Sequence, residues 1–416
     1  MNLHRPAALD AGKCGNASLP SLLSCYSSPV FARRTDWNLA PNALSLALDR
    51  FRRSGRPILD LTESNPTHCL DYSAVQSAIL RALADPAALS YSPDPRGLLS
   101  AREAVASYYA ARGARVAPAD LILTTSTSEA YSFLFRLLCD PGDEMLVPAP
   151  SYPLFEFLAD LQDVRLVPYA LVYDHGWQID FHSLEHALTP RSRAVVLVHP
   201  NNPTGSYVKP AEREQLHALA AARHLALIVD EVFLDYPLTA HGLDRTFAGR
   251  DGALTFTLSG LSKIAALPQM KVAWIAAGGA GKADALARLE VIADTYLSMN
   301  APLQHALPTL LDVRHAAREQ LSAHIDRNLA ALDAALPAAP HLARLDIEGG
   351  WYAVLRVPVT RTDEELAIAL LQSEGVYVHP GHFYNFHADG YLVLSLITPP
   401  GIFAAGLARL LAFLAS

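Results

Sequence analysis

Lys263 sits where a charge is least expected. It lies in TLSGLSKIAALPQMKVAW (residues 257–274), after small and hydroxyl-bearing residues and just before the apolar run Ile264-Ala265-Ala266-Leu267. An amine held in such surroundings loses hydration, which lowers its pKa and makes the nucleophilic free base available near neutral pH. Taken alone, a lysine at a strand end is more simply a snorkelling side chain. Three other stretches place chemistry-bearing groups in comparable positions. The apolar run 225–229 ends in Asp230, and the run 194–200 leads into Asn201-Asn202-Pro203-Thr204-Gly205. The proline and glycine force a turn there and leave Asn202 presented beyond the strand. In TTSTSEA (124–130), Ser126, Thr127 and Ser128 offer hydroxyls beside the unpaired amides of a helix start, a favourable seat for a phosphate. Ser126 and Glu129 also stand in capping-box spacing. Each group has a plainer alternative: Asp230 as a helix cap, Asn202 serving only its turn, residues 126–128 only capping.

The elements around these residues explain how they would meet. Strand-like runs occur at 121–125, 144–148, 164–169, 194–200, 225–232, 253–259 and 271–277, separated by helical patterns such as AEREQLHALAAARH (211–224). Continuous apolar strands alternating with helices predict an α/β fold, a mostly parallel sheet sandwiched by helices. In such sheets ligands sit outside the carboxyl ends of the strands, where the amide, the carboxylate and the amine would all arrive. This large domain is expected over residues 68–300. After about residue 300 the pattern changes to a long helical region (302–335), YAVLRVPV, a helix near 363–373, GVYVHP, YLVLSLIT and a terminal helix. Residues 31–67 plus 301–416 are therefore expected to form a smaller α+β domain, with 1–30 a flexible N-terminal arm.

A nucleophilic amine, a carboxylate, an amide donor and a phosphate cup are together the requirements of pyridoxal 5′-phosphate. The chain resembles the class I/II aminotransferases, of the fold-type-I pyridoxal-phosphate enzymes. The matching stretches run in order: LDLTESNPT (59–67), YSPDPRGLLSAREAVASYY (91–109), TTSTSEA, PGDEMLVPAPSYP (141–153), NNPTG, VDEVFLDYP (229–237), SGLSK and GGWYAVL (349–355). The resemblance implies that Lys263 forms the Schiff base with the cofactor and that Asp230 keeps the ring nitrogen protonated. It implies that Tyr152 stacks on the ring and Asn202 bonds its phenolic oxygen. Ser126, Thr127, Ser128, Ser259, Ser262 and Lys271 would hold the phosphate. Tyr91 would reach the phosphate of a neighbouring subunit, making a homodimer with shared active sites. Asn65, Asn202, His382 and Tyr384 would border the substrate. The implied reaction moves an amino group from an amino acid or amine to a 2-oxo acid with ping-pong kinetics.

Four departures from the family pattern stand out. Phe233 replaces a common tyrosine and has no hydroxyl, which is expected to raise the pKa of the lysine–cofactor imine. Gly260 stands where a phosphate-binding serine is usual, and Lys271, eight residues after Lys263, where an arginine is usual. Lysine keeps the charge and loses the two-pronged geometry. Val393 occupies the place of the arginine that holds the substrate carboxylate; Arg33, Arg34, Arg356 and Lys271 are candidates for a displaced anchor. Val393 also keeps one rival open, a lyase, cyclase or racemase using the same cofactor; a second rival, a ligand-binding protein on the same fold without turnover, is opposed by the intact Lys263 and Asp230.

The totals agree with a large enzyme. The chain has 416 residues, 51% of them apolar, with a net charge of −8. That balance and the absence of a basic block give no support for nucleic-acid binding. No run of about 18 apolar residues exists to span a membrane. Cys14, Cys25, Cys69 and Cys139 lack metal-like spacing and read as reduced thiols of a cytoplasmic protein. GGAGKADA (278–285) only imitates a phosphate loop, since Ala283 stands where Ser or Thr is needed, and is expected to join a strand to a helix. The histidines of 379–387 lie in a loop and are not expected to bind metal.

Overall fold

The computed structural model describes residues 30–152, 155–239 and 245–415; residues 1–29 of the expected arm lie outside it. Strands are numbered in chain order. β1 (Leu59–Asp60) is a two-residue strand whose partner lies far along the chain. The large sheet follows: β2 (Leu121–Thr124), β3 (Glu144–Ala149), β4 (Arg165–Tyr173), β5 (Trp177–Ile179), β6 (Ser192–Val198), β7 (Ala226–Asp230), β8 (Thr255–Gly260) and β9 (Ala273–Gly278). Their order across the sheet is β2-β9-β8-β7-β6-β3-β4-β5.

The five central strands from β8 to β4 run parallel, while β9 runs against both β8 and β2. This is the mostly parallel sheet expected. The reversal of β9 matters for the site. It brings the start of that strand, just after Lys271, to the edge where the parallel strands end. Every residue of β3, β7, β8 and β9 is buried, which is why they read as continuous apolar runs. Successive side chains still alternate between faces. Val196, Ile228, Phe256 and Ile275 pack under the helices Thr127–Leu138 and Lys282–Tyr296, and Leu197, Leu227 and Val229 pack on the opposite face.

A second, antiparallel sheet is built from β10 (Ala343–Arg344), β11 (Tyr352–Arg356), β13 (His379–Pro380) and β14 (Tyr391–Ser395), in the order β10-β11-β14-β13. β12 (Val376–Tyr377) pairs in parallel with β1. The segment after β1 is thereby tied to the C-terminal lobe: Ser395 N donates to Leu61 O at 2.7 Å and its Oγ to Glu63 O at 2.5 Å. The helical region expected over 302–335 is two helices, Ala301–Asp312 and Arg314–Ala335, meeting at Val313. The first buries Ala306, Leu307 and Leu310 against Tyr108 and Trp274 of the large body. The second buries Leu321, Ile325 and Leu332 against the small sheet. Two short strands, β1 and β10, and the antiparallel β5 were too short for the sequence pattern to reveal.

Candidate active site

A cavity of about 600 Å³ opens at the carboxyl edge of the large sheet. It is lined by Ser126, Thr127, Ser128, Tyr152, Asn202, Asp230, Ser262, Lys263 and Lys271 from the large body, and by Asn65, Tyr352, His379 and Tyr384 from the other side. Most of the residues picked out in the sequence thus meet in one place.

Lys263 sits in the single helical turn Leu261–Ile264 after β8. The turn is pinned from both sides: Tyr236 Oη donates to Lys263 O at 2.8 Å, and Tyr72 Oη donates to Ala266 O. Gly260 makes the approach possible, because a Cβ there would lie 2.7 Å from Ala273 Cβ and 2.8 Å from Val272 O. The serine expected from the family pattern therefore has no room. Lys263 Nζ donates to Ser64 O at 3.4 Å and lies over the rings of Trp351 (4.8 Å) and Phe233 (5.7 Å). Burial pushes its pKa down to about 8, against the opposing pull of the Asp230 and Glu63 carboxylates. The misplaced charge of the sequence is an amine that releases its proton far more readily than an exposed lysine.

Asp230 ends β7 and is 8% exposed. Its carboxylate accepts from Val232 N at 3.1 Å and Tyr131 Oη at 3.3 Å. No salt bridge reaches it among the described residues, and burial raises its pKa to about 6. It caps no α-helix; a turn follows it. Such a carboxylate has a cationic partner to gain. The two asparagines beyond β6 divide their work. Asn201 holds the turn, its Nδ2 donating to Pro150 O and Thr204 Oγ1 and its Oδ1 accepting from Ser151 Oγ. Asn202 is 6% exposed, faces the cavity, and its amide oxygen has no partner among the described residues. It does not serve the turn alone.

Ser126 is the N-cap of the helix Thr127–Leu138, its Oγ accepting from Glu129 N at 3.1 Å. The capping box is incomplete, since the Glu129 carboxylate turns to Thr125 N at 2.7 Å and Thr125 Oγ1, one residue before the cap. The first amides of the helix remain available to an anion. Ser262 lines the same end of the cavity, with exposed Lys271 in a left-handed turn just before β9. Ser259 does not reach it: its side chain is buried within β8 and its hydroxyl has no partner among the described residues. Strand alternation turns it away from the edge that Gly260 and Ser262 share.

The other wall comes from the small sheet. Tyr352 and His379 line the cavity, and His379 Nδ1 lies 3.0 Å from Tyr384 Oη. His379 was missed in the sequence, where His382 of the same loop was chosen for the substrate side; it is the pairing of His379 with Val393 across β13 and β14 that brings it to this wall. His382, expected at the substrate, lies outside the cavity lining and packs on Phe383, because the turn Gly381–Tyr384 directs it elsewhere. Asn65 lines the cavity, but its Oδ1 accepts from Thr67 N and Oγ1, so the side chain is engaged in its own turn. Val393 is buried. Of the displaced-anchor candidates, Arg33 and Arg34 line a separate cavity that shares Tyr152, Arg34 bonded to Asp163 at 2.6 Å, and Arg356 is exposed at the end of β11. Tyr91 is 84% exposed and borders another cavity, beside Leu297 and Asn300, so it does not reach the site of its own chain. The 278–285 stretch joins β9 to the helix Lys282–Tyr296, Lys282 pairing with Asp120 at 2.7 Å.

The donor set fits pyridoxal phosphate. A buried carboxylate without a cation, a lysine of lowered pKa and a helix start flanked by hydroxyls are unsatisfied in ways this one group answers, and the Asn202 amide faces the same cavity. Comparisons with known proteins agree. The family model described as Aminotransferase class I and II matches residues 56–399. The alanine aminotransferase of Mycobacterium tuberculosis (strain ATCC 25618 / H37Rv) is 32% identical over 384 residues, 88% of each chain. The glutamate-pyruvate aminotransferase of Haemophilus influenzae is 27% identical over 362 residues, covering 83% of this chain and 88% of that one. A solved aminotransferase from Escherichia coli superposes with a TM-score of 0.78 at 25% identity, covering 90% of this chain and 95% of that one. A match of this length and a relative of this identity leave no other assignment: the chain belongs to the class I and II aminotransferases.

Proposed function

We propose that Lys263 is the amine that holds the cofactor covalently and that Asp230 secures its ring nitrogen, in a pyridoxal-phosphate-dependent enzyme that moves an amino group from an amino acid or amine to a 2-oxo acid. Bound pyridoxal phosphate supplies an aldehyde that condenses with amines and a ring that accepts electron density from the substrate's α-carbon. The chain's residues do the rest. Lys263 Nζ, released when the substrate amine takes its place, would take the proton from the donor's α-carbon and deliver it to the carbon that was the aldehyde. The reverse transfer would serve the 2-oxo acid, and a pKa of about 8 suits both. The Asp230 carboxylate keeps a proton on the ring nitrogen, and that cation in turn offsets the cost of burying the carboxylate. Asn202 donates its amide to the phenolic oxygen, Tyr152 covers the ring, and the amides and hydroxyls of 126–128, with Ser262 and Lys271, hold the phosphate.

The observation that carries this reading is the convergence of Lys263, Asp230 and Asn202 on one cavity from three separate strand ends. Borohydride reduction of the cofactor-loaded protein, followed by peptide mass mapping, should place the adduct on Lys263. Lys263→Ala should lose the adduct and about 10⁴-fold or more of the activity; a label on another lysine would refute the assignment.

We further propose a cytoplasmic homodimer with shared active sites. Tyr91 is exposed, as are Leu89 and Leu99 in the same stretch of chain, apolar surface that a second chain would cover. Sedimentation should show a dimer, and mixing Tyr91→Phe with Lys263→Ala chains should produce hybrids with one fully native site. The thiols of Cys69 and Cys139 are free, as suits a reducing compartment. No helix among the described residues is long and apolar enough to cross a membrane. We place the small domain at residues 31–67 with the chain from Arg314 onward, because the helix Ala301–Asp312 packs into the large body.

A further inference from the structure

The substrate end of the cavity is uncharged. Among the described residues that line it, the only cations are Lys263 and Lys271, and both belong to the cofactor in the reading above. On the opposite wall, Tyr352 and His379 lie on one face of the small sheet, together with buried Val393 beneath the lining: β11 and β14 pair Tyr352 with Ser395 and Val354 with Val393, and β13 pairs His379 with Val393. Residues directly opposed in an antiparallel pair share a face. Ser395 Oγ donates to Glu63 O, so this face looks onto the 63–65 segment that borders the cavity.

His379 is half-buried, with its open surface on the cavity, and Tyr384 is 2% exposed. Their 3.0 Å contact ties Nδ1 to the phenol. With Tyr384 Oη donating, the imidazole presents an Nε2–H donor; with Nδ1–H donating, it presents an Nε2 acceptor. Burial holds this imidazole neutral, its pKa pushed down to about 4. The Glu63 carboxylate, outside the cavity lining, adds a negative field at Lys263 and Tyr352, the wrong sign for an anion.

We propose that the His379–Tyr384 pair receives the group beside the donor's amine as an uncharged hydrogen-bonding partner, so that amino amides and amino alcohols are at least as good donors as the matching amino acids. This rests on the aminotransferase site described above. A carboxylate entering this end finds neutral hydrogen-bonding groups, not a guanidinium fork. A carboxamide or hydroxyl finds a partner that adapts its tautomer to donate or accept, and loses no charge solvation on entry.

The test compares half-reactions of cofactor-loaded enzyme, followed by the cofactor's absorbance. Donors are alanine, alaninamide, alaninol and 2-aminopropane, with phenylalanine and its amide as a larger pair. The amides should match or exceed the acids in second-order rate. His379→Phe should slow alaninamide and alaninol about tenfold, the loss of one hydrogen bond, and leave 2-aminopropane within about twofold. His379→Gln, which keeps an amide able to donate and accept, should recover most of the loss. Independently, the His379 imidazole signals in a ¹H–¹⁵N spectrum should shift with propionamide and not with propionate. A preference for acid over amide of about a hundredfold or more would overturn the proposal, as would a His379→Phe effect equal for all four donors. If no donor changes the absorbance, the aminotransferase site itself is wrong, a different failure from the loss of this preference.

Discussion

The two walls of the cavity are made in opposite ways. The wall from the large sheet is built by backbone: strand ends, a helix start and a glycine too crowded for any side chain set where each group stands. Its chemistry is ionic, with Lys263, Asp230 and Lys271 as its charges. The wall from the small sheet is built by side chains, Tyr352, His379 and Tyr384, and is neutral and aromatic. One wall can be redrawn by substitution without touching the fold, and the other cannot. A single chain can thus keep its reaction while its substrates change.

The sharpest way to break this contrast is at Asp230. Burial lifts its pKa from 3.8 to about 6, so the folded chain without cofactor gains a proton that the unfolded chain lacks between those values. Stability then falls as pH rises through that window, and above it the charged carboxylate costs on the order of 3 kcal/mol. Asp230→Asn should therefore melt higher than the parent at pH 8 when both lack cofactor, with the difference vanishing below about pH 4. Activity of the loaded variant should fall about 10³-fold. A cofactor-free variant that melts lower at pH 8 would show that the carboxylate already has its partner within the protein.

A smaller effect is expected at Gly260. Gly260→Ser adds a Cβ within 2.7–2.8 Å of Ala273 and Val272, which should destabilise the fold by about 1–3 kcal/mol in chemical unfolding without tightening cofactor binding. Tighter binding with unchanged stability would mean that the backbone wall yields more readily than its packing implies. The smallest effect concerns Phe233, whose ring meets Trp351 edge-on at 5.2 Å and faces the cavity. Phe233→Tyr would add a hydroxyl donor on the cavity side, where the proposed cofactor's phenolic oxygen would need one. It should lower the pH midpoint of the bound cofactor's visible absorption by about one unit or less. An unchanged midpoint would show that Asn202 alone sets it.

Legibility in the sequence follows the same division. Lys263, Asp230, Asn202 and Ser126 could be found because each stands at the end of an apolar run, where period and punctuation mark a strand's exit. Lys271 was legible by its place, but its arrival at the same edge depends on β9 running backwards, which no local pattern encodes. Ser259 was misjudged by one strand residue, and in a sheet one residue is a change of face. On the small-sheet side the signals were weaker still. β13 has two residues, too few for any alternation, so His379 was overlooked in favour of His382, three residues on. The division of the region 302–335 into two helices was hidden because a single residue, Val313, separates them and no glycine or proline marks the break.

β1 is only two residues long, yet its pairing with β12 decides what moves together. Ser64 and Asn65 hang from it by a few bonds, and Lys263 reaches Ser64 O. Any hinge between the lobes would carry the 63–65 segment, Tyr352, His379 and Tyr384 as a single jaw, closing on the amine all at once. An engineer who grafts a new substrate preference onto this chain must therefore transplant the jaw entire, N-terminal ribbon included.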